Sequence, residues 1–363
     1  TQRKIKEDRK KQSVSALYDK WMKSRTHTFR ASTKNAYRMV FDRFIIPRLG
    51  SKDIREVTAR SVETMLYQIR EREDKSLGYI KRIATAWNSF SRWCDRLGYI
   101  QKGQTCNIKG KIKARDSYLT PEEVLQMLSW MNSNLPEHQM WVKNVLAFQY
   151  YCFLRYGEAT ALLKEDIDTE NWTMSINKTC AWIRTRPGRQ EVEFHPTKNN
   201  QTNDRFPVCD ELKPYLRDQL IRTANSKFMF IHPTKYPGAH LNKHYTDRTD
   251  APNRPPDHTL PNRLYKRAAK AVGVKAQSVS THTIRKSAIA SLLNAGASIK
   301  VVEKAARICA TTILTHYSRV TNEEFVDAYN ELHSGSLKAK TDDQTPNNNL
   351  CNVTELKIDN ENK

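Results

Sequence analysis

No stretch of this chain approaches the roughly 18 consecutive apolar residues that a membrane-spanning helix needs, and no signal peptide is visible. A membrane is therefore not an expected partner. Acidic residues are scarce: 39 Asp and Glu stand against 61 Lys and Arg, a formal net charge of +22. Such a balance points to a polyanion, since each phosphate that a cation neutralises releases condensed counterions. The plainer alternative is a basic protein that binds nucleic acid without specificity or rides on the ribosome. Paired cysteines are missing too. Cys94, Cys106, Cys152, Cys180, Cys209, Cys309 and Cys351 are odd in number and scattered, with no Cys-x-x-Cys and no histidine at zinc-ligand spacing. That pattern predicts reduced, partly buried thiols in a cytosolic protein. Nor do carboxylates cluster as a hydrolytic metal-dependent nuclease requires, so such a nuclease is not expected.

The 363 residues are enough for two domains. Residues 1–12 are a basic, solvated segment. From 13 to 100, apolar residues recur at helical spacing. Val14, Leu17, Trp21 and Met22 mark a first helix. Tyr37, Val40, Phe41 and Phe44 mark a second over 31–49, capped by Ser32 and ended by Pro47 and Gly50. Val62, Met65, Leu66 and Ile69 mark a third over 58–72, and Ile80, Ile83, Trp87 and Phe90 a fourth over 77–94. Four such helices make a small bundle with an aromatic interior. Residues 101–116 hold two glycines and five Lys or Arg with little periodicity, which reads as an interdomain linker.

A second domain is expected over 117–335. Thr120, Pro121 and Glu123 spell a capping box, and 141–151 is apolar enough to be a core helix. Strands are predicted over 171–179, 191–196 and 205–208, and a further helix over 260–272. The stretch 232–261 carries His232, His240, His244 and His258 at spacings that fit no zinc signature, and it reads as a surface loop. A short amphipathic helix over 322–332 precedes a polar tail, 336–363, expected to be disordered.

Chemistry concentrates between Val279 and Val320. His282 and Arg285 stand at i, i+3, so a helix would place them on one face, within reach of a single anion. A guanidinium grips phosphate oxygens bidentately, and an imidazole relays a proton. The stretch closes on Tyr317, whose phenol oxygen suits covalent catalysis. Upstream, Arg155 stands where an apolar run stops, and it is costly to bury unpaired. Glu158 or Asp166 could pair with it, or a phosphate could. Lys198 lies in a polar loop at a strand end, where a lysine is either solvated or able to protonate a leaving oxygen. Lys178 competes with it for that role, and Arg205 reads as structural.

HTIR, NAGAS and THYSRV, preceded in order by FLRYGEATAL and HPTKNNQTNDRFPV, resemble the signature of the tyrosine recombinases, the phage integrase family. The resemblance covers most of the chain after about residue 117 and extends weakly to RLGSKDIREVTARSVETML in the bundle. It implies a mostly α fold with a small β-sheet: an N-terminal helical core-binding (SAM-like) bundle and an α+β catalytic domain that close on duplex DNA. It implies Arg155, Lys198, His282, Arg285 and Tyr317 as catalytic residues. The bundle's DNA contacts would be Lys34, Arg38, Lys81, Arg82 and Arg92, basic positions off the apolar faces. One departure stands out. The family usually carries Gly-His or Gly-Trp nine residues before the tyrosine, and this chain has Arg307-Ile308 there. An isoleucine cannot donate a hydrogen bond to the scissile phosphate.

The implied function is site-specific recombination for a phage or mobile genetic element, integrating or excising it through a 3′-phosphotyrosyl intermediate. Implied partners are double-stranded DNA attachment sites, a homotetramer on synapsed DNA and, where the element uses them, DNA-bending accessory proteins. The implied location is the bacterial cytoplasm, on the nucleoid when bound. Family members often carry a small arm-binding domain ahead of the bundle. Two alternatives stay open. Ile308 motivates a catalytically weakened recombinase that acts as a site-specific DNA-binding protein, and the same chemistry would serve a type IB topoisomerase-like enzyme.

Overall fold

The computed structural model describes residues 12–110, 118–186, 189–197, 203–231, 254–275 and 279–316. Nearly all of the basic first segment, the latter part of the expected linker, Lys198, most of the His-bearing stretch, and Tyr317 with the helix and tail expected after it lie outside these residues.

Helix α1 (Val14–Ser24) begins at Ser13, whose hydroxyl accepts from the Ala16 N–H and so satisfies one orphan donor of the first turn. Helix α2 (Ala31–Val40) passes through a π turn (Phe41–Ile45) into the short α3 (Ile46–Leu49). Here the structure corrects the sequence reading. Arg30, not Ser32, occupies the N-cap, and Pro47 does not end the segment. Pro47 sits in the first turn of α3, where its missing N–H is tolerated, and Gly50 follows as the C-cap. Helices α4 (Ala59–Arg72) and α5 (Leu77–Arg96) follow as expected, α4 opening on a capping box between Thr58 and Ser61.

These helices enclose one apolar core centred on Trp21, which is fully buried. The rings of Tyr37, Phe41 and Phe90 lie 5.0, 5.7 and 5.6 Å from its centroid, and Phe29 meets it edge-on at 5.7 Å. Tilted and edge-on pairs at these separations are the favoured ones. The first half of the stretch read as linker is anchored to this bundle. The Trp87 indole donates to the Gln104 carbonyl (2.6 Å), Asn88 exchanges two hydrogen bonds with the Cys106 backbone, and Ile108 is buried.

The second core lies around α7 (Met140–Tyr151), packed by α6 (Pro121–Asn134), α9 (Lys213–Arg222), α10 (Thr259–Ala271) and α11 (Thr281–Asn294). Because α7 is apolar around most of its circumference, it is buried rather than amphipathic. The capping box at Thr120 forms as its sequence predicts. Short α8 (Tyr156–Ala161) leads to the β portion. There β1 (Ile167–Asp168), β2 (Thr173–Ile176) and β5 (Asn203–Pro207) make a three-stranded antiparallel sheet. Strands β3 (Lys178–Arg186) and β4 (Arg189–Pro196) make a separate hairpin. The expected single strand over 171–179 is thus two. Asn177 breaks it, its side chain turned back to Ser175 Oγ (3.0 Å), and the chain changes pairing partners there. Helix α12 (Ile299–Ala306) and α13 (Ala310–His316) close the described chain. No helix among the described residues is long and apolar enough to cross a membrane.

Replacing Trp21 with Ala would empty the centre of the first core, and a loss of about 3–5 kcal/mol is expected. Chemical denaturation followed by circular dichroism measures it. A loss below about 1 kcal/mol would mean that Trp21 is not central.

Candidate active site

The site is built around Glu158, a carboxylate that is only 1% exposed. Arg155 Nη1 donates to its Oε1 (2.6 Å), and the Arg155 backbone N–H donates to Oε2 (3.0 Å), so residue and helix start are fixed together. Arg285 Nη1 reaches the same Oε2 at 3.4 Å and Arg307 Nη2 reaches it at 3.2 Å. Three guanidinium groups thus share one carboxylate. Burial by itself would push the Glu158 carboxyl up, but Arg285, Arg307 and Arg155 override it and hold it below the usual carboxylate range.

Local conformation places each partner. Gly157 sits so close to β3 that a Cβ on it would meet the Cys180 carbonyl at 2.5 Å and Thr179 Oγ1 at 2.7 Å. Only glycine lets the start of α8 approach the hairpin this far. Phe153 adopts a left-handed backbone (φ 54°), which points its carbonyl at both Arg285 and Arg307. Gln149, buried on α7, donates to the Thr281 carbonyl (2.9 Å), joining the helix before Arg155 to the first turn of α11. Ser280 and Thr283 cap that turn.

His282 and Arg285 stand on adjoining positions of α11, as their spacing predicts, but they differ in exposure. His282 is exposed, whereas Arg285 is 1% exposed and also donates to the Phe153 and Ala306 carbonyls. Three residues advance a helix by about 300°, leaving about 60° between the two side chains. Here that angle straddles the edge between solvent and interior. Although the residue remains accessible, partial burial of the His282 imidazole, followed by the like charges of Lys286, Arg285 and Arg155, lowers its pKa from 6.5. The ring is therefore neutral at pH 7 and able to accept a proton. Arg155, with its side chain 32% exposed, is the guanidinium of the cluster that solvent reaches most openly.

Ile308 is 7% exposed, an aliphatic side chain with no donor. Arg307 before it caps the C-terminal end of α12 in the left-handed region, φ 52° and ψ 53°. A non-glycine residue there costs about 1–2 kcal/mol. Sequence reasoning placed Arg307 only as half of a departure from the family pair and gave it no role. The sequence trace of it is the arginine in place of the family's usual glycine, and the structure gives that position a positive φ. Lys178 is committed elsewhere, donating to both oxygens of the mostly buried Asp166, one at 2.6 Å. Lys198 and Tyr317 lie outside the described residues, which stop one residue short of the tyrosine. Of the five expected DNA contacts, Arg38, Arg82 and Arg92 are exposed. Lys34 and Lys81 instead bond the Thr26 and Gly110 carbonyls, each at 2.7 Å.

The profile of the phage integrase family matches residues 117–324, and that of its N-terminal SAM-like domain matches residues 13–68. The chain belongs to the phage integrase family. Its fold is mostly helical, with a SAM-like N-terminal bundle and a tyrosine-recombinase catalytic fold. It is similar to the Tn1549 transposon integrase in complex with a circular intermediate DNA: TM-score 0.68, 14% identity, 88% of this chain and 99% of that one covered. A lambda integrase dimer bound to a COC′ core site matches at TM-score 0.55 and 16% identity, covering 84% of this chain and 77% of that one. A lambda integrase tetramer bound to a Holliday junction matches at TM-score 0.58 and 15% identity, covering 85% and 80%. No curated protein matches the chain in sequence.

Removing the carboxylate should be severe. Glu158→Ala leaves three clustered cations, two of them buried, without a counter-anion, and a destabilisation of about 3–5 kcal/mol is expected by chemical denaturation. An unchanged midpoint would mean that the cluster contributes nothing to stability. For His282, ring NMR across about pH 5 to 8 should give a titration midpoint below 6.5. Lys286→Gln removes a like charge and should move the midpoint up; movement down would contradict the electrostatic assignment.

Proposed function

We propose that this protein is a site-specific DNA recombinase of a phage or other mobile element, cutting and rejoining DNA through a 3′-phosphotyrosyl intermediate. The observation that carries the reading is the meeting of Arg155 and Arg285, 130 residues apart in sequence, on one buried carboxylate. Both come from the segments that carry the family signature. Two clustered cations are what a pentacovalent phosphorane, with its charge spread over the equatorial oxygens, requires.

In this mechanism the Tyr317 phenol oxygen attacks the scissile phosphorus in line. The O–P bond forms as the bond to the 5′ oxygen breaks, and the phenol proton passes to neutral His282. Lys198 Nζ delivers a proton to the departing 5′ oxygen. The phosphotyrosyl bond conserves the energy of the phosphodiester, so a 5′ hydroxyl from a partner strand reverses the step without a cofactor. Arg155 faces the phosphate, and Arg285 contributes its charge from within the protein. The bundle, 13–100, grips the duplex through Arg38, Arg82 and Arg92, with Lys34 and Lys81 reaching phosphate only by giving up their carbonyl partners. Residues 104–108 pack on the bundle, so the linker narrows to the residues after Ile108, and the catalytic domain spans 117–335. Synapsis would assemble a tetramer on paired attachment sites, assisted by bending proteins where the element uses them.

Ile308 favours a second reading, a recombinase that binds its site but cleaves poorly. One lost donor to a transition state costs on the order of 10²–10³ in rate.

Nicked duplexes bearing the element's end sequences trap the covalent step. Wild type is expected to form a protein–DNA adduct that Tyr317→Phe abolishes and Arg155→Ala slows by on the order of 10²–10³. Sequence-specific binding with no adduct, and cleavage gained in Ile308→His, would establish the second reading. Relaxation of supercoiled plasmid without sequence preference would point to topoisomerase activity instead.

A further inference from the structure

We propose that Arg307 is a charge-compensating and positioning residue of the phosphate site: it neutralises Glu158 so that the charges of Arg155 and Arg285 remain available to DNA. The inference rests on the reading of Arg155 and Arg285 as the phosphate-binding pair.

Glu158 presents the site with a difficulty. It orients Arg155 through two hydrogen bonds, yet its negative charge lies beside the two cations meant for phosphate. Two guanidinium groups against one carboxylate would leave a net charge of +1. Arg307 is the third cation: three against one leave +2, the same as if Glu158 were absent. The carboxylate can then act as a geometric anchor without cancelling the field that stabilises the phosphorane.

The side chain is enclosed and lies against the carboxylate that it would neutralise. Arg307 is 3% exposed, so its charge serves no surface contact. Its Nη2 lies 3.2 Å from Glu158 Oε2, 3.2 Å from the Phe153 carbonyl and 3.4 Å from the Cys152 carbonyl. Its Nη1 donates to the Ala305 carbonyl (3.0 Å). The guanidinium therefore joins the end of α12 to the turn that precedes Arg155. Its Nε is buried without an acceptor among the described residues. A strained left-handed backbone and an unmet donor persist only where the surroundings over-determine them, and they cluster at functional sites. A residue kept only to end a helix would be glycine, with neither burden.

A purely structural staple makes the same contacts, so the test must read charge. Single-turnover cleavage of nicked duplex is measured with an ordinary scissile phosphodiester and with a methylphosphonate, in which a methyl replaces one non-bridging oxygen and removes the charge. On the phosphodiester, Arg307→Met is expected to be at least about tenfold slower than wild type, and Arg307→Lys, which keeps the charge, to recover much of the loss. On the methylphosphonate the gap between wild type and Arg307→Met should shrink toward unity. Adding Glu158→Gln to Arg307→Met, which removes the anion that needs compensating, should restore phosphodiester cleavage several-fold. Equal defects on both substrates, or no defect on either, would overturn the proposal.

Tungstate, a phosphate-sized dianion, supplies a readout independent of cleavage. By calorimetry it should bind wild type at least about tenfold more tightly than Arg307→Met, with Arg307→Lys between them. Equal affinities would sink the charge role even if DNA is cleaved. Dependence on Arg307 in a protein that forms no adduct would leave the inference standing and remove the recombinase reading instead.

Discussion

A carboxylate enclosed by protein is tolerable only when its charge is answered, and cations enclosed together are tolerable only with an anion between them. Glu158 and its three arginines satisfy both conditions at once. Meeting them requires three distant pieces of chain to arrive at one point: the start of α8, the middle of α11 and the end of α12. Several features that look unrelated follow from this. Gly157 allows α8 to lie against the hairpin, Phe153 turns left-handed to offer its carbonyl twice, and Gln149 ties α7 to the cap of α11. Each brings backbone to the cluster; none touches solvent chemistry itself.

The two halves of the chain handle charge in opposite ways. In the bundle the core is aromatic and apolar, and the basic side chains stay outside it; Arg38, Arg82 and Arg92 are all exposed. Such charges act through counterion release, with little geometric demand, and salt screens them. In the catalytic half, two of the three clustered arginines are almost wholly enclosed. There the local dielectric is low, screening is weak, and position matters to fractions of an ångström. On the proposed function, affinity and transition-state stabilisation would thus fall to different surroundings within one basic protein.

Much of this was legible in the sequence. Helices with strong 3.6-residue periodicity and explicit caps, such as those opened by Thr58 and Thr120, form as their residues predict, because local bonding and burial agree there. Arg155 paired with Glu158 was one of two carboxylate pairings open beforehand beside a phosphate, and the structure selects it over Asp166, which Lys178 occupies. What escaped was tertiary. The break at Asn177 depends on which strand arrives as a partner, which spacing along one strand does not encode. The π turn at Phe41–Ile45 is a small adjustment of pitch that leaves the apolar pattern readable as a plain helix. His282 and Arg285 share a helix but not an environment, since periodicity gives the angle between side chains and not where the surface falls. Arg307 escaped because a basic residue at a helix end is ordinarily a solvated cap, and only the fold turns it inward.

With the role proposed for Arg307, the pair Arg307-Ile308 becomes one substitution with two opposed effects. Losing a directed donor at 308 removes about 2.7–4 kcal/mol of transition-state stabilisation, by the measure of other oxyanion sites. In that role Arg307 keeps Glu158 from cancelling one of the two phosphate-facing charges, and a unit charge within about 10 Å at an effective dielectric near 20 is worth about 2 kcal/mol. The two are of the same order, so the extra guanidinium offsets a large part of the loss without reproducing it. The remainder is directional. A charge enclosed within the protein stabilises the phosphorane whichever equatorial oxygen carries the density, whereas a donor at 308 would select one oxygen and one geometry. On the role proposed for Arg307, the chain would trade a specific contact for a diffuse field, and the hydrogen bonds around Glu158 would keep that field aimed.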